Sequence, residues 1–328
     1  MKVRLAITAG FCMGVRKAME MALAEANRHE GPIFTFGPLI HNKQVLDLLE
    51  SKNVMSVNDI DNVREGTVLI RAHGIPPQQR KELKEAGLRI LDATCPRVAR
   101  VQAIIRYNAK KGYTPVIIGD RDHAEVVGLV GYGEGKAYVI NSIHDVATLP
   151  SSKKLFVVAQ TTQNEESFQD MVDAIKQRNS NTVVFDTICE ATHERQEEVR
   201  ALAKEVDGMV VVGGYHSGNT HRLAEISRGS NIPTFHVETE KDLDKKSLSK
   251  MDVIGVTAGA STPNWMIKKV VKELKSIRSR KEFFLGRWVR RNFKSLLLSN
   301  GLVAIGALSL SYAMAVLSGA TPRPIYPM

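Results

Sequence analysis

Short apolar runs alternate with amphipathic helical stretches along most of this chain, joined by polar or glycine-rich loops. The runs predict strands at Val3–Thr8, Ile33–Phe36, Val68–Ala72, Arg89–Asp92, Pro115–Ile118, Ala137–Ile140, Leu155–Ala159, Thr182–Asp186, Met209–Val212, Pro233–Val237 and Val253–Thr257. Between them, Val15, Ala18, Met19 and Ala22 repeat at helical spacing, as do Val199, Leu202, Ala203 and Val206 on a helix running from Cys189 to Val206. Alternation of this kind predicts an α/β fold with parallel sheets covered on their faces. In such sheets ligands sit beyond the carboxyl ends of the strands. Eleven strands allow one wide sheet or several small ones.

The three cysteines favour several small sheets. Cys12, Cys95 and Cys189 each follow a predicted strand and precede a predicted helix. They stand 83 and 94 residues apart, each about the length of one small αβ lobe. Pro96 suits the first helical position, which makes Cys95 the N-cap. A helix N-terminus stabilises an anion and lowers a thiol pKa, so three such positions read as thiolates converging on one point. The bland alternative is three unrelated buried cysteines. A structural zinc ion wants four ligands, usually in close Cys-x-x-Cys pairs, a spacing absent here. An iron–sulfur cluster is held by thiolates, and three of them on a four-iron cubane leave one iron free to take a substrate oxygen.

Composition narrows the function. Hydrophobic residues at 43% and charged residues at 24% of 328 exclude a disordered or collagen-like chain. Three cysteines exclude a disulfide scaffold. The net charge of +10 suggests nucleic acid until it is located. From Lys268 onward lie 12 of the 45 Lys+Arg and 2 of the 35 Asp+Glu, so the first 267 residues carry 33 of each sign. The body is neutral and no nucleic-acid partner is expected. The N-terminal apolar run is too short for a signal peptide, and a cytoplasmic body with reduced thiols is expected.

The strand-end loops carry a second group of residues. His41 lies in Gly37-Pro-Leu-Ile-His-Asn42, His73 in Arg71-Ala-His-Gly74, and His123 two residues before Glu125. Gln160-Thr161-Thr162, Gly213-Gly-Tyr-His-Ser-Gly-Asn-Thr220 and Ala258-Gly-Ala-Ser-Thr262 end three other strands. Glycine, serine and asparagine at helix starts cradle phosphate through backbone N–H groups, and imidazoles add donors. Each also has an ordinary reading as a cap or surface residue. His29, His144 and His236 are read as such, while His193, His216 and His221 stay undecided.

In order along residues 1–277, Ala9-Gly-Phe-Cys-Met-Gly-Val15, Ile40-His-Asn42, Ala72-His-Gly-Ile-Pro76, Asp92-Ala-Thr-Cys-Pro96, His123-Ala-Glu-Val-Val-Gly128, Gln160-Thr-Thr162, Asp186-Thr-Ile-Cys189 and Thr257-Ala-Gly-Ala-Ser261 resemble the LytB-type 4-hydroxy-3-methylbut-2-enyl diphosphate reductases. The resemblance implies a trefoil of three pseudo-repeated αβ lobes around one 4Fe–4S cluster with one open iron. It implies Cys12, Cys95 and Cys189 as cluster ligands. His41, His73, His123, Ser217, Gly218, Asn219 and Ser261 match the substrate-binding positions for an allylic diphosphate. Glu125 matches a proton donor, and Thr161 a hydroxyl that orients the substrate alcohol. Electrons would come from a ferredoxin- or flavodoxin-type donor, and the products would be isopentenyl and dimethylallyl diphosphate, the last step of the non-mevalonate isoprenoid route. The chain departs from the family at Ala124, where proline is common, and at Gly218, where serine is frequent. Two other readings are another three-cysteine cluster enzyme, such as a quinolinate synthase, and a membrane-tethered iron–sulfur sensor that is not an enzyme.

Residues 1–281 are expected to form the catalytic body, with lobes at roughly 13–94, 95–189 and 190–281, the last joined by 1–12. Residues 282–295 read as a basic linker and 321–328 as a tail. Segment 296–320 is uncharged, with 17 apolar residues among 25, long enough to span a bilayer as a helix or to pack against the body. The basic residues Arg287, Arg290, Arg291 and Lys294 precede it, so a span would tether the body to the inner face of a membrane.

Overall fold

The computed structural model describes residues 1–277 except 29–30, 60–62, 64 and 152–153. The linker, the apolar segment 296–320, the tail and His29 therefore lie outside the described residues. Among the described residues no helix is long and apolar enough to cross a membrane.

The chain opens with strand β1 (Lys2–Leu5) and helix α1 (Met13–Ala26). There follow β2 (Ile33–Phe36), α2 (Lys43–Glu50), β3 (Val54–Val57), β4 (Thr67–Ile70), α3 (Pro77–Glu85) and β5 (Arg89–Asp92). Helix α4 (Pro96–Lys110) leads into β6 (Thr114–Ile118), α5 (Ala124–Gly131), β7 (Tyr138–Ile140), β8 (Leu155–Ala159), α6 (Glu165–Arg178) and β9 (Val183–Val184). The remainder is α7 (Glu190–Ala203), β10 (Gly208–Val212), α8 (Gly218–Gly229), β11 (Thr234–Val237), α9 (Lys245–Leu248), β12 (Val253–Ala258) and α10 (Asn264–Ser276).

The strands form three four-stranded sheets ordered β3-β2-β4-β5, β7-β6-β8-β9 and β11-β10-β12-β1, parallel throughout. Written by position within each sheet, all three share one order: second, first, third, fourth. In the last sheet the fourth place is taken by β1, so the start of the chain completes the sheet that β10, β11 and β12 build. Parallel strands covered on both faces are near-continuous apolar runs, as β8 and β10 are, and β6 is buried throughout with only Thr114 polar. Successive residues of one strand feed opposite cores: Val210 and Val212 enter one cluster, Met209 and Val211 the other. Val116 and Ile118 are likewise separated from Ile117, and Leu69 from Val68 and Ile70. Each sheet thus carries two cores, and each fully buried Val, Leu or Ile contributes about 1.5–3 kcal/mol.

The fold departs from the sequence expectation in detail. Strand β3 was not among the predicted strands; two of its residues, Met55 and Ser56, are exposed at a sheet edge, which weakens the apolar signal. Strand β1 stops at Leu5 and Ile7 stands in solvent, because Glu198 takes the backbone N–H groups of Ile7 and Thr8. Strand β9 shrinks to two residues, and α7 ends at Ala203, leaving Val206 beyond it.

Candidate active site

The shared strand order fixes where side chains meet. In each sheet the first and third strands lie side by side and their connections diverge, which opens a crevice at their carboxyl ends. His41 follows β2 and His73 follows β4, the first and third strands of their sheet. His123 and Thr161 follow β6 and β8; Ser217 and Ser261 follow β10 and β12. The fourth strands β5, β9 and β1 lead to Cys95, Cys189 and Cys12. All nine residues line one cavity, together with Glu125, Gly218 and Asn219.

Each cysteine is the N-cap of its helix, α1, α4 or α7, and none uses its side chain as a cap. Their backbones are held by a bond repeated three times. Cys95 N–H donates to the Ala72 carbonyl at 2.9 Å, Cys189 N–H to that of Thr161 at 2.9 Å, and Cys12 N–H to that of Ala260 at 3.2 Å. Every cysteine is thereby tied to the neighbouring loop that carries His73, Thr161 or Ser261. Gly14 must be glycine for helix α1 to reach this point, since a Cβ there would stand 2.5 Å from Cys95 Sγ. The thiols of Cys95 and Cys189 have pKa values above the usual thiol range. Burial is the main cause, and the other thiols add to it, against backbone N–H groups at the helix starts that pull down. The expected lowering by the helix N-terminus is present but loses to desolvation.

The three imidazoles form a tight group, with ring centroids 4.6, 5.1 and 5.3 Å apart. Burial pushes His41 and His123 down to about 4, and His73 well below its ordinary value; the Arg71 guanidinium lowers all three further. They are neutral at pH 7. His123 Nδ1 accepts from Glu125 N–H at 3.2 Å, so its proton sits on Nε2. His41 Nε2, His73 Nδ1 and Asn219 Nδ2 are buried with no hydrogen-bond partner. Buried polar groups are nearly always paired, so these atoms call for a ligand. Three clustered imidazole nitrogens also suit a metal ion. Arg71 beside them, the Ser217 N-cap of α8 and the open N–H groups at that helix start favour an anion instead. Ser261 Oγ lies 3.4 Å from Ser217 Oγ and donates to the His41 carbonyl at 3.1 Å, joining two lobes at this place. A Cβ on Gly218 would meet nothing closer than 3.4 Å, so the site has room for the serine frequent in the resembling family.

Glu125 is fully buried on α5. Its two carboxyl oxygens accept from Thr161 N–H and Thr161 Oγ1, both at 2.7 Å. Burial pushes its pKa up to about 7, against the pull of those two bonds and of Arg222. A carboxyl that holds its proton near neutrality in a cavity is suited to general acid work.

Three arginines lie outside the sequence reading: the half-buried Arg71 and the buried Arg195 and Arg222. Arg222 donates to Asp120 at 2.9 Å and to Gln163 at 2.8 Å, tying α8 to the loops that follow β6 and β8. Arg71 stands two residues before His73 in the same strand-end motif, where the histidine carries the stronger signal. The undecided histidines separate. His216 lies near enough to lower the His41 pKa. His193 faces Glu165 away from the cavity, at 3.3 Å, and His221 packs on His236. His236 is half-buried and bonded to the Gly213 carbonyl at 3.0 Å, while His144 is exposed.

Fold and cavity define a three-lobed α/β protein with one thiol after the fourth strand of each sheet and a buried cluster of unpartnered polar atoms beside them. The family model described as LytB protein matches residues 3–275, and the chain belongs to that family. A 4-hydroxy-3-methylbut-2-enyl diphosphate reductase of Geobacter sulfurreducens is 43% identical over 282 residues, covering 86% of this chain and all of the relative. One of the same name from Clostridioides difficile is 41% identical, covering 84% of this chain and all of the relative. A solved E-1-hydroxy-2-methyl-but-2-enyl-4-diphosphate reductase from Plasmodium falciparum superposes with a TM-score of 0.80 at 31% identity, over 83% of this chain and 87% of that one.

Proposed function

We infer that this chain performs the reduction for which its relatives are named. It is an oxidoreductase that removes the allylic hydroxyl of 4-hydroxy-3-methylbut-2-enyl diphosphate, the terminal step of the non-mevalonate pathway. Two electrons and two protons enter, and isopentenyl or dimethylallyl diphosphate and water leave. The observation that carries this reading is that a single cavity holds the three thiols, the unpartnered His41, His73 and Asn219 atoms, and a buried carboxyl with a pKa of about 7.

The family implies an iron–sulfur cofactor, and the residues present fit one. The thiols are unengaged by caps, face one cavity, and do not draw together as the imidazoles do. A single zinc ion, with Zn–S near 2.3 Å, needs sulfurs within roughly 4.6 Å of each other. Cys12, Cys95 and Cys189 are the proposed ligands of one 4Fe–4S cluster with one iron open. When bound, the cluster supplies single electrons and a Lewis-acidic iron for the substrate oxygen.

The remaining chemistry belongs to the chain. His41, His73, His123, Ser217, Asn219, Ser261 and the Gly218 backbone N–H hold the diphosphate. Its remote binding energy fixes the alcohol at the thiol end of the cavity. Thr161, anchored to Glu125, orients that hydroxyl, and Glu125 protonates the departing oxygen. Anaerobic assay of the purified protein on the hydroxylated diphosphate, with a reduced ferredoxin or flavodoxin as donor, tests the reading; a cluster-loaded protein without turnover would sink it. A purely sensory protein has no use for a buried acid and an anion cradle in the same cavity. The 296–320 segment is proposed as a tether that keeps the body on the cytoplasmic side of a membrane. Full-length protein should then sediment with membranes and resist salt extraction, and a chain stopped after Lys281 should be soluble and active; release by salt alone would exclude a span.

The neutral imidazoles give a pH prediction. A bound diphosphate raises their pKa values, so binding takes up protons and affinity falls as pH rises through the bound-state values. Calorimetry with inorganic pyrophosphate in buffers of different ionisation enthalpy should register net proton uptake in slightly acidic solution. His41→Ala should raise KM roughly 10–100-fold before it touches kcat, the worth of one hydrogen bond to a charged group. Binding with no proton uptake would move the anion elsewhere.

A further inference from the structure

Arg195 lies on α7, six residues after Cys189, and lines the cavity with Cys12 and Cys189. It is 4% exposed. Its Nη1 donates to the Ala191 carbonyl at 2.6 Å and its Nη2 to the Gly10 carbonyl at 2.8 Å. Ala191 lies in the first turn of α7, two residues after Cys189, and Gly10 lies two residues before Cys12, so one guanidinium ties the helix start that follows Cys189 to the segment that leads into Cys12. Glu198, one turn further along α7, takes Ile7 N–H at 2.6 Å and Thr8 N–H at 2.9 Å, and so grips the same loop from the other side.

These carbonyls meet the hydrogen-bonding needs of two nitrogens but not the charge. Arg195 Nε is buried with no partner, and among the described residues Arg195 makes no ion pair. Cys12 and Cys189 line the same cavity wall as Arg195, and among the described residues no carboxylate reaches it at ion-pair distance. A guanidinium does not shed its proton inside a protein, and a buried charge without a counter-charge is costly. A negatively charged centre held by Cys12 and Cys189 in that cavity would supply the counter-charge.

We propose that Arg195 is the fixed counter-charge of the centre held by Cys12 and Cys189, joining the segments next to them and raising its reduction potential. This rests on the iron–sulfur reading above. Each added electron makes the centre more negative, and a cation locked in a low-dielectric wall stabilises the reduced form over the oxidised one. Arg195 acts through that centre and is a positioning and tuning residue.

The test compares anaerobically prepared parent, Arg195→Lys and Arg195→Gln for iron per chain and for midpoint potential, by redox titration followed by electron paramagnetic resonance. In Arg195→Gln the one-electron equilibrium should shift at least ~10-fold toward the oxidised form, about 59 mV negative. Arg195→Lys, which keeps the charge, should recover most of that shift. A fully loaded Arg195→Gln with the parent's potential overturns the proposal, as does an equal shift in both variants. Should Arg195→Gln lose its iron, retention by Arg195→Lys supports the counter-charge and equal loss in both overturns it. A parent that takes up no cluster overturns the iron–sulfur reading and this proposal with it; an unshifted potential overturns this proposal alone.

Discussion

Replacing any one of Cys12, Cys95 and Cys189 by serine should remove most of the iron and nearly all of the activity, while leaving the polypeptide folded. The parent, prepared without oxygen, should carry about four irons per chain. The fold should survive because no thiol makes a side-chain cap bond, and a serine oxygen can replace whatever the sulfur offers the N–H groups at the helix start. Serine is a preferred N-cap, worth about 1 kcal/mol over residues that cannot cap, and the backbone bonds from Cys95 to Ala72 and from Cys189 to Thr161 do not involve the side chain. The metal-free variants should therefore melt at or slightly above the metal-free parent. Loss of iron without loss of thermal stability separates ligation from folding. Retention of parent-level iron in any one variant removes that residue from the ligand set. Stoichiometric zinc and no iron in a parent grown with both metals would remove the cluster altogether.

That these cysteines belong together was readable because each sits in the same slot, between a strand end and a helix start, and strand–helix alternation is a local signal. The same locality explains why His41, His73, His123, Thr161, Ser217 and Ser261 could be placed at strand ends. What ties distant segments together was not local. The Arg195 bond to Gly10 spans 185 residues within one lobe, and the Arg222 bond to Asp120 spans 102 between two. An arginine bound for a buried contact looks in sequence like one on a solvated face. Strand β1 pairs with β12 across the length of the body, a partner that no apolar pattern identifies. The thiol pKa values went against the local expectation for the same reason. A helix start is visible in sequence, whereas the desolvation that outweighs it at Cys95 and Cys189 comes from lobes folded over them.

Glu125→Gln should bind substrate with a KM within a few-fold of the parent and turn over at least ~100-fold more slowly, the lower end of what a positioned general acid contributes. The substitution preserves shape. The amide oxygen can still accept the Thr161 N–H, and the Thr161 hydroxyl can turn to accept from the amide nitrogen, so the pairing seen at 2.7 Å is reversed rather than broken. What is lost is the acidic proton. With a pKa of about 7 the parent carboxyl is protonated in the lower half of the physiological range. Its kcat/KM should be level below that value and fall about tenfold per pH unit above it, while the residual activity of Glu125→Gln should show no such limb. Stability gives a second, independent readout. The folded-state pKa is raised, so between the ordinary value of 4.5 and about 7 the folded chain keeps a proton that the unfolded chain has released. The stabilising linkage is fully present below the unfolded value and is lost as pH rises through about 7, amounting to roughly 3 kcal/mol over that window. Glu125→Gln should lose this slope and become the more stable protein in mildly alkaline buffer. A variant that turns over within a few-fold of the parent excludes Glu125 as the donor. A variant with slow turnover and an unchanged stability slope would mean that the carboxyl titrates elsewhere than near neutrality, and that its proton is supplied only once substrate is bound.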